Sequence, residues 1–87
     1  MYGDNAKYIV INNGHDKEVP ILFSSLIEHR LMQRHCGKAI SAGFVNCNLQ
    51  CFGESYSIGI KSRPDIDTRL VMDMFGTTEE DLKIQRE

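Results

Sequence analysis

Two short runs of β-branched and aromatic residues, Lys7 to Ile11 and Val19 to Phe23, flank the polar segment Asn12-Asn13-Gly14-His15-Asp16. Side chains branched at Cβ suit a pleated strand, and the Asn-Gly step supplies the positive φ that a tight reversal needs. The spacing predicts a β-hairpin, and the rest of the chain must supply whatever covers it. Pro20 has no N–H for a ladder, which puts the second strand at a sheet edge or its proline at a non-bonded position.

Ser25 precedes Glu28 by three residues, the spacing of a capping box. A helix is expected to begin near Ser25, to run to about Cys36 and to close on Gly37, which adopts positive φ without strain. At 100° per residue, Ile27, Leu31, Met32, His35 and Cys36 share one arc, while Arg30, Gln33 and Arg34 point the other way. The basic side chains therefore share an outward face.

From Lys38 to Asn46 and from Leu49 to Ile60 the helical period gives way to small, β-branched and aromatic residues. This predicts a second hairpin around Asn46-Cys47-Asn48, with a bulge or bend at Gly53-Glu54. Ser62-Arg63-Pro64-Asp65 ends the sheet, because the residue before a proline is pushed away from helix. A short helix over Ile66 to Phe75 follows, closed by Gly76, and Thr77 with Glu80 opens a final charged stretch. The chain reads as one α+β domain over residues 1–87 in ββαββα order. Its antiparallel sheet of four to five strands is packed on one face by one helix, with a short C-terminal helix; residues 77–87 are expected to form a frayed acidic terminal helix. Tyr8, Val10, Ile21, Phe23, Leu31, Phe44, Ile58 and Leu70 are expected in the core.

With 87 residues, one hydrophobic core is all such a chain can build. A domain of this size buries roughly 60 to 65% of its unfolded surface, which leaves little for elaborate clefts. The apolar runs are far shorter than a bilayer span, and Met1 to Asn5 lack the features of a secretory signal. Three cysteines, an odd number, do not describe a disulfide framework; the expectation is a cytoplasmic protein with reduced thiols. The formal net charge of -2 hides a bipolar pattern. Arg30, Arg34, Lys38, Lys61 and Arg63 outnumber the acids of residues 27–63, whereas residues 64–87 are strongly acidic.

His35, Cys36, Cys47 and Cys51 are ligands of suitable softness for zinc. The first two, however, are adjacent on a helix and diverge by 100°, so the expectation is thiols that pack, with no metal and no cofactor. A cysteine nucleophile would need one of His15, His29 or His35 within reach, and no local motif pairs them. Asp65 and Asp67 suit the N-terminus of a helix without any metal. Arg30, Arg34, Lys38, Lys61 and Arg63, with Tyr56 or Phe52 as stacking platforms, make a nucleic-acid surface conceivable. The acidic pI near 5.9 and the lack of a basic run weigh against it.

At Glu18-Val19-Pro20-Ile21-Leu22-Phe23, Ser41-Ala42-Gly43-Phe44-Val45 and Ser62-Arg63-Pro64 the chain resembles small uncharacterised proteins encoded by bacteriophages and prophages. The resemblance spans Tyr8 to Pro64 and carries no catalytic signature. It implies bacterial cytoplasm and an accessory role, such as inhibition of a host or defence protein. The function expected is a non-enzymatic protein–protein interaction module, with Arg30, Arg34 and Arg63 meeting another protein or a second copy of the chain. No catalytic residue, small molecule or membrane is inferred. A nucleic-acid binder using the basic helix face is the first alternative, and a small zinc or cysteine-dependent protein the second.

Overall fold

The computed structural model describes residues 5–76. Strands β1 (Ala6–Asn12) and β2 (Glu18–Phe23) form the expected antiparallel hairpin, paired from Lys7–Phe23 to Asn12–Glu18. The Asn12 and Asn13 side-chain oxygens accept the backbone N–H groups of Gly14 and His15, each at 2.9 Å, and Gly14 takes φ +88°. Local side-chain bonds of this kind are why asparagine favours turns.

Strand β3 (Ala39–Val45) pairs with the other side of β1, and the short β4 (Cys51–Phe52) pairs with β3. The main sheet is antiparallel in the order β2-β1-β3-β4. The predicted hairpin around Asn46-Cys47-Asn48 joins β3 to β4, with Asn46 Oδ1 accepting from Asn48 and Gln50. The chain leaves this sheet at Gly53, φ +79°, where a bend was expected. It then forms a two-stranded ribbon of β5 (Glu54–Ser55) and β6 (Ile60–Lys61).

Helix α1 (His29–Cys36) begins later than the Ser25–Glu28 pair predicts. The Ser24 hydroxyl accepts the Leu26 N–H at 3.1 Å, and the Ile27 N–H bonds the Ser24 carbonyl. Ser24 thus closes a local turn over Leu26 and Ile27 that keeps these residues out of the helix, and Glu28 caps the helix without a side-chain bond. Helix α2 (Pro64–Phe75) places Pro64 in its first turn and ends on Gly76 in the left-handed region, φ +67°. Residues 77–87, expected as an acidic terminal helix, lie outside the described residues.

The two helices cover opposite faces of the sheet, not one face. Tyr8, Val10, Val45 and Cys51 pack with Val71 of α2 on one side. Ile9, Phe23, Ala39 and Ala42 pack with Ile27, Met32 and Cys36 around α1 on the other, joined by Ile58 and Ile60 of the ribbon. The physical reason lies in the unbroken apolar run Tyr8-Ile9-Val10, since alternate side chains of a strand point to opposite faces and an inner strand covered twice needs both apolar. All three are fully buried.

Of the expected core, Tyr8, Val10 and Phe23 are buried, and Ile21, Phe44, Ile58 and Leu70 are half-buried. Leu31 is 42% exposed, against expectation. The inward stripe of α1 is His29, Met32, Gln33 and Cys36, because His29 and Gln33 make bonds that hydrophobicity alone does not reveal. Among the described residues, no helix is long and apolar enough to cross a membrane.

One buried polar cluster ties α2 to the sheet. The Asp67 carboxylate, with no exposed surface, accepts from Tyr8 Oη at 2.5 Å, Ser41 Oγ at 2.9 Å and the Arg63 backbone N–H at 2.9 Å. It also accepts from Arg63 Nη2 at 2.9 Å and Nε at 3.1 Å, and Arg63 reaches on to Glu18 at 2.8 Å. Removing the Asp67 carboxylate leaves the fully buried Tyr8 and Ser41 hydroxyls without their acceptor and breaks the Arg63 pair, although Arg63 keeps Glu18. Asp67→Ala should therefore cost about 3–5 kcal/mol in urea denaturation, and Tyr8→Phe about 1.5–3 kcal/mol for a bond to a charged group. Losses under about 1 kcal/mol in both would show that the cluster does not hold the fold.

Candidate functional site

The start of α1 gathers the exposed apolar and basic side chains that a binding surface needs. His29, in the first turn, is buried beneath it and is the one fully buried residue of that helix. Its Nε2–H donates to the Gly43 carbonyl at 2.8 Å, which leaves Nδ1 as the unprotonated nitrogen of the neutral ring. The rings of Phe23 and Phe44 meet it edge-on at centroid distances of 5.5 and 5.8 Å. Burial lowers the His29 pKa below its ordinary value, the Gly43 bond opposes this, and the positive charge of Lys7 adds to it. Lys7 Nζ donates to the Ile27 carbonyl at 2.9 Å and so fastens the segment leading into α1 to β1.

Above His29 lies a shallow cleft of about 470 Å³ bordered by Lys7, Glu28, Arg30, Glu54 and Tyr56. Tyr56, in the turn between β5 and β6, is 87% exposed, and Leu26, just ahead of α1, is 93% exposed. Arg30 and Arg34 stand on the outward side of α1, and Arg30 makes a solvent-exposed ion pair with Glu28 at 3.2 Å. Such pairs contribute about 0–1 kcal/mol, so the guanidinium can exchange its partner at little cost.

Arg63 does not join Arg30 and Arg34. It caps α2 on the opposite face, and its guanidinium is committed to Asp67 and Glu18, whose hydrogen bond raises its pKa. A groove of about 970 Å³ runs between β4 and α2, bordered by Phe52, Asp65, Arg69, Met72 and Asp73. Phe52, one of the suggested stacking platforms, has one ring face stacked on Phe44 at 5.9 Å.

The soft ligands are dispersed. Cys36 packs in the α1-side cluster and Cys51 in the α2-side cluster, so the sheet lies between them. Cys47 is exposed in the β3–β4 turn, and His35 is exposed on α1. Among the described residues, no three His, Cys, Asp or Glu side chains are grouped so as to hold a metal ion. Burial and then the Asp67 charge push the Cys51 thiol up to about 11, the reverse of what a nucleophile needs.

The sequence offers Arg30 and Arg34 for a protein partner, Tyr56 as a stacking platform and His29 as one of three possible bases for a thiol, and it marks neither Leu26 nor Lys7. The signal for Leu26 was its neighbour: in a non-helical turn Leu26 and Ile27 cannot both face the core, and Ile27 takes the inner place. His29 gave no local signal, since its partners Phe23, Gly43 and Phe44 are remote or belong to another strand.

Thiol chemistry checks this placement. Cys47 should react with a maleimide in the native state at about pH 7.5, and Cys51 only after denaturation; fast native labelling of Cys51 would contradict its burial. Elemental analysis of the same sample should find no stoichiometric zinc, and about one zinc per chain that is lost on replacing Cys47 and Cys51 would overturn the expectation of no metal. Comparisons with protein-family models, with curated proteins and with solved structures found no match, so the functional argument rests on these side chains.

Proposed function

We propose that this chain is a non-enzymatic protein-interaction module, and that its contact surface is the outward side of α1 with Arg30 and Arg34, extended by Leu26 and Tyr56. The observation that carries the reading is Tyr56, 87% exposed and on one cleft with Arg30, together with Leu26, 93% exposed just ahead of the same helix. Tyrosine and arginine are enriched among the side chains that dominate binding energy, and an aliphatic anchor beside them excludes water. Two arginines one helical turn apart offer planar forks that hold carboxylates bidentately, so the partner is an acidic protein surface, on a second protein or a second copy.

Arg63 has a different role in this reading: its guanidinium holds the fold together and is not offered to a partner. The resemblance to phage-encoded proteins makes a small accessory protein or inhibitor of a host or defence protein, acting in bacterial cytoplasm, the form this function would take. The dispersal of the thiols and the raised pKa of Cys51 support a role without catalysis. One observation favours the nucleic-acid alternative, the joining of Lys7 and Arg30 to Phe44 and Tyr56 around one cleft. Glu28 and Glu54 border the same cleft and cancel the positive field that phosphates require.

The test is a charge reversal with a packing control. Arg30→Glu/Arg34→Glu and, separately, Tyr56→Ala should each weaken partner capture or self-association about fivefold or more, which is about 1 kcal/mol. Each should change stability by no more than about 0.5 kcal/mol, the range of exposed substitutions. Unchanged capture and unchanged oligomeric state in both variants would count against the surface. Loss of salt-dependent nucleic-acid binding in the double variant would promote the alternative.

A further inference from the structure

The two helices are fastened to the sheet by different means. Helix α2 buries Asp67, Val71 and Met72. Helix α1 buries only His29, and its remaining inward residues, Met32, Gln33 and Cys36, are half-buried. The anchor of α1 is thus a titratable ring enclosed by two phenyl edges and a backbone carbonyl. The charged groups around it come from three elements. Glu28 and Arg30 belong to its own helix and the residue before it, Lys7 to β1, and Glu54 to β5, with Ser55, Ser57 and Tyr56 bordering the same cleft. Glu28 is engaged with Arg30 at the surface, and among the described residues neither carboxylate forms an ion pair with the ring.

We propose that His29 is an acid-sensitive latch: when its ring gains a second proton, the segment from Leu26 through α1 lifts from the sheet while the α2 side stays folded. An imidazolium in that site loses water and meets Lys7, whereas lifting α1 restores both hydration and distance. The opening is confined to one face: it breaks the His29–Gly43, Lys7–Ile27 and Gln33–Ala39 bonds and uncovers the side chains packed under α1, and it touches none of the Asp67 cluster. The sign follows from burial. The docked ring titrates below the opened ring, so docking is complete above about pH 6.5 and is lost as pH falls, at most tenfold per unit. For an interaction module that uses α1, acidification would disassemble the contact surface; this consequence rests on that reading, but the latch does not.

Amide hydrogen exchange on the full chain, corrected for intrinsic rates, tests it without any partner. Between about pH 7.5 and about pH 5.5 the protection of α1 amides should fall by more than about twofold and by no more than about tenfold, the ceiling set by an ordinary histidine pKa near 6.5, while α2 amides keep theirs. His29→Gln, whose side-chain N–H can still reach the Gly43 carbonyl, should make α1 protection independent of pH. A change in α1 of less than about twofold overturns the latch, as does an equal loss in both helices or an undiminished pH response in the variant. Should the glutamine variant not fold, the ring carbon signal of His29 in the wild-type protein decides: a titration midpoint at or above about 6.5 overturns the proposal. A flat exchange profile with partner capture still lost in the Arg30→Glu/Arg34→Glu variant would remove the latch and leave the contact surface standing.

Discussion

The Asp67 carboxylate is the point on which the two halves of the chain meet. It binds Tyr8 from β1, Ser41 from β3 and Arg63 from the start of its own helix, and through Arg63 it reaches Glu18 of β2. A buried carboxylate without partners would cost several kcal/mol, and one with a full set of donors makes charge-assisted bonds of about 1.5–3 kcal/mol each. The sign of its contribution therefore depends on every partner being in register. That is a strong condition on where α2 lies, since the Val10–Ser41 pairing and the first turn of the helix must both be right for the donors to converge. The same charge, after burial itself, raises the Tyr8 phenol and the Cys51 thiol, so both stay protonated and Tyr8 keeps the proton it donates to Asp67.

Against this polar clamp, the opposite face is held by apolar packing, the buried His29 and two further bonds, Lys7 to the Ile27 carbonyl and the Ala39 N–H to Gln33. The close approach of β3 to the strand after it depends on Gly43, where a Cβ would run into the Phe52 carbonyl oxygen and sit 3.2 Å from Ser62 Cβ. Gly43 also faces Tyr8 in the β1–β3 ladder and gives its carbonyl to His29. One residue without a side chain thus lets β4 fold over, leaves room opposite a tyrosine, and presents the acceptor that orients the α1 anchor. The result is a sheet with a rigid side, where α2 is specified by geometry, and a softer side, where α1 carries the exposed arginines.

What was legible in the sequence follows from how local each cause is. The hairpin at Asn12–Asp16, the bend at Gly53 and the close of α2 at Gly76 were readable because turn chemistry acts within a few residues. The start of α1 is later than the Ser25–Glu28 spacing implies because Ser24 closes a turn on the Leu26 and Ile27 N–H groups ahead of Glu28, and nothing in the spacing marks that turn. Asp67 looked like an acid at a helix N-terminus, which it is, but its burial depends on a tyrosine 59 positions away. Arg63 was unreadable for the same reason, since its partner Glu18 lies 45 positions earlier. The outward aim of Arg30 and Arg34 came from helical period alone and needed no tertiary knowledge.

The edges of the main sheet bear on which surface is left for binding. A strand with open N–H and C=O groups invites pairing with another chain. Here β2 carries Pro20, which interrupts the row of donors on one edge strand. On the other edge β4 is two residues long, and the Cys51 N–H already donates to Thr68 Oγ1 at 2.9 Å. Strand addition is therefore hindered at both ends, and the faces of the sheet are covered by helices and ribbon. In the proposed role association would then use side chains, and the large apolar side chains most exposed among the described residues are Leu26 and Tyr56. Both flank the helix that carries Arg30 and Arg34, where Arg30 is paired only with the exposed Glu28, so the exposed apolar side chains and the exposed arginines lie at one helix.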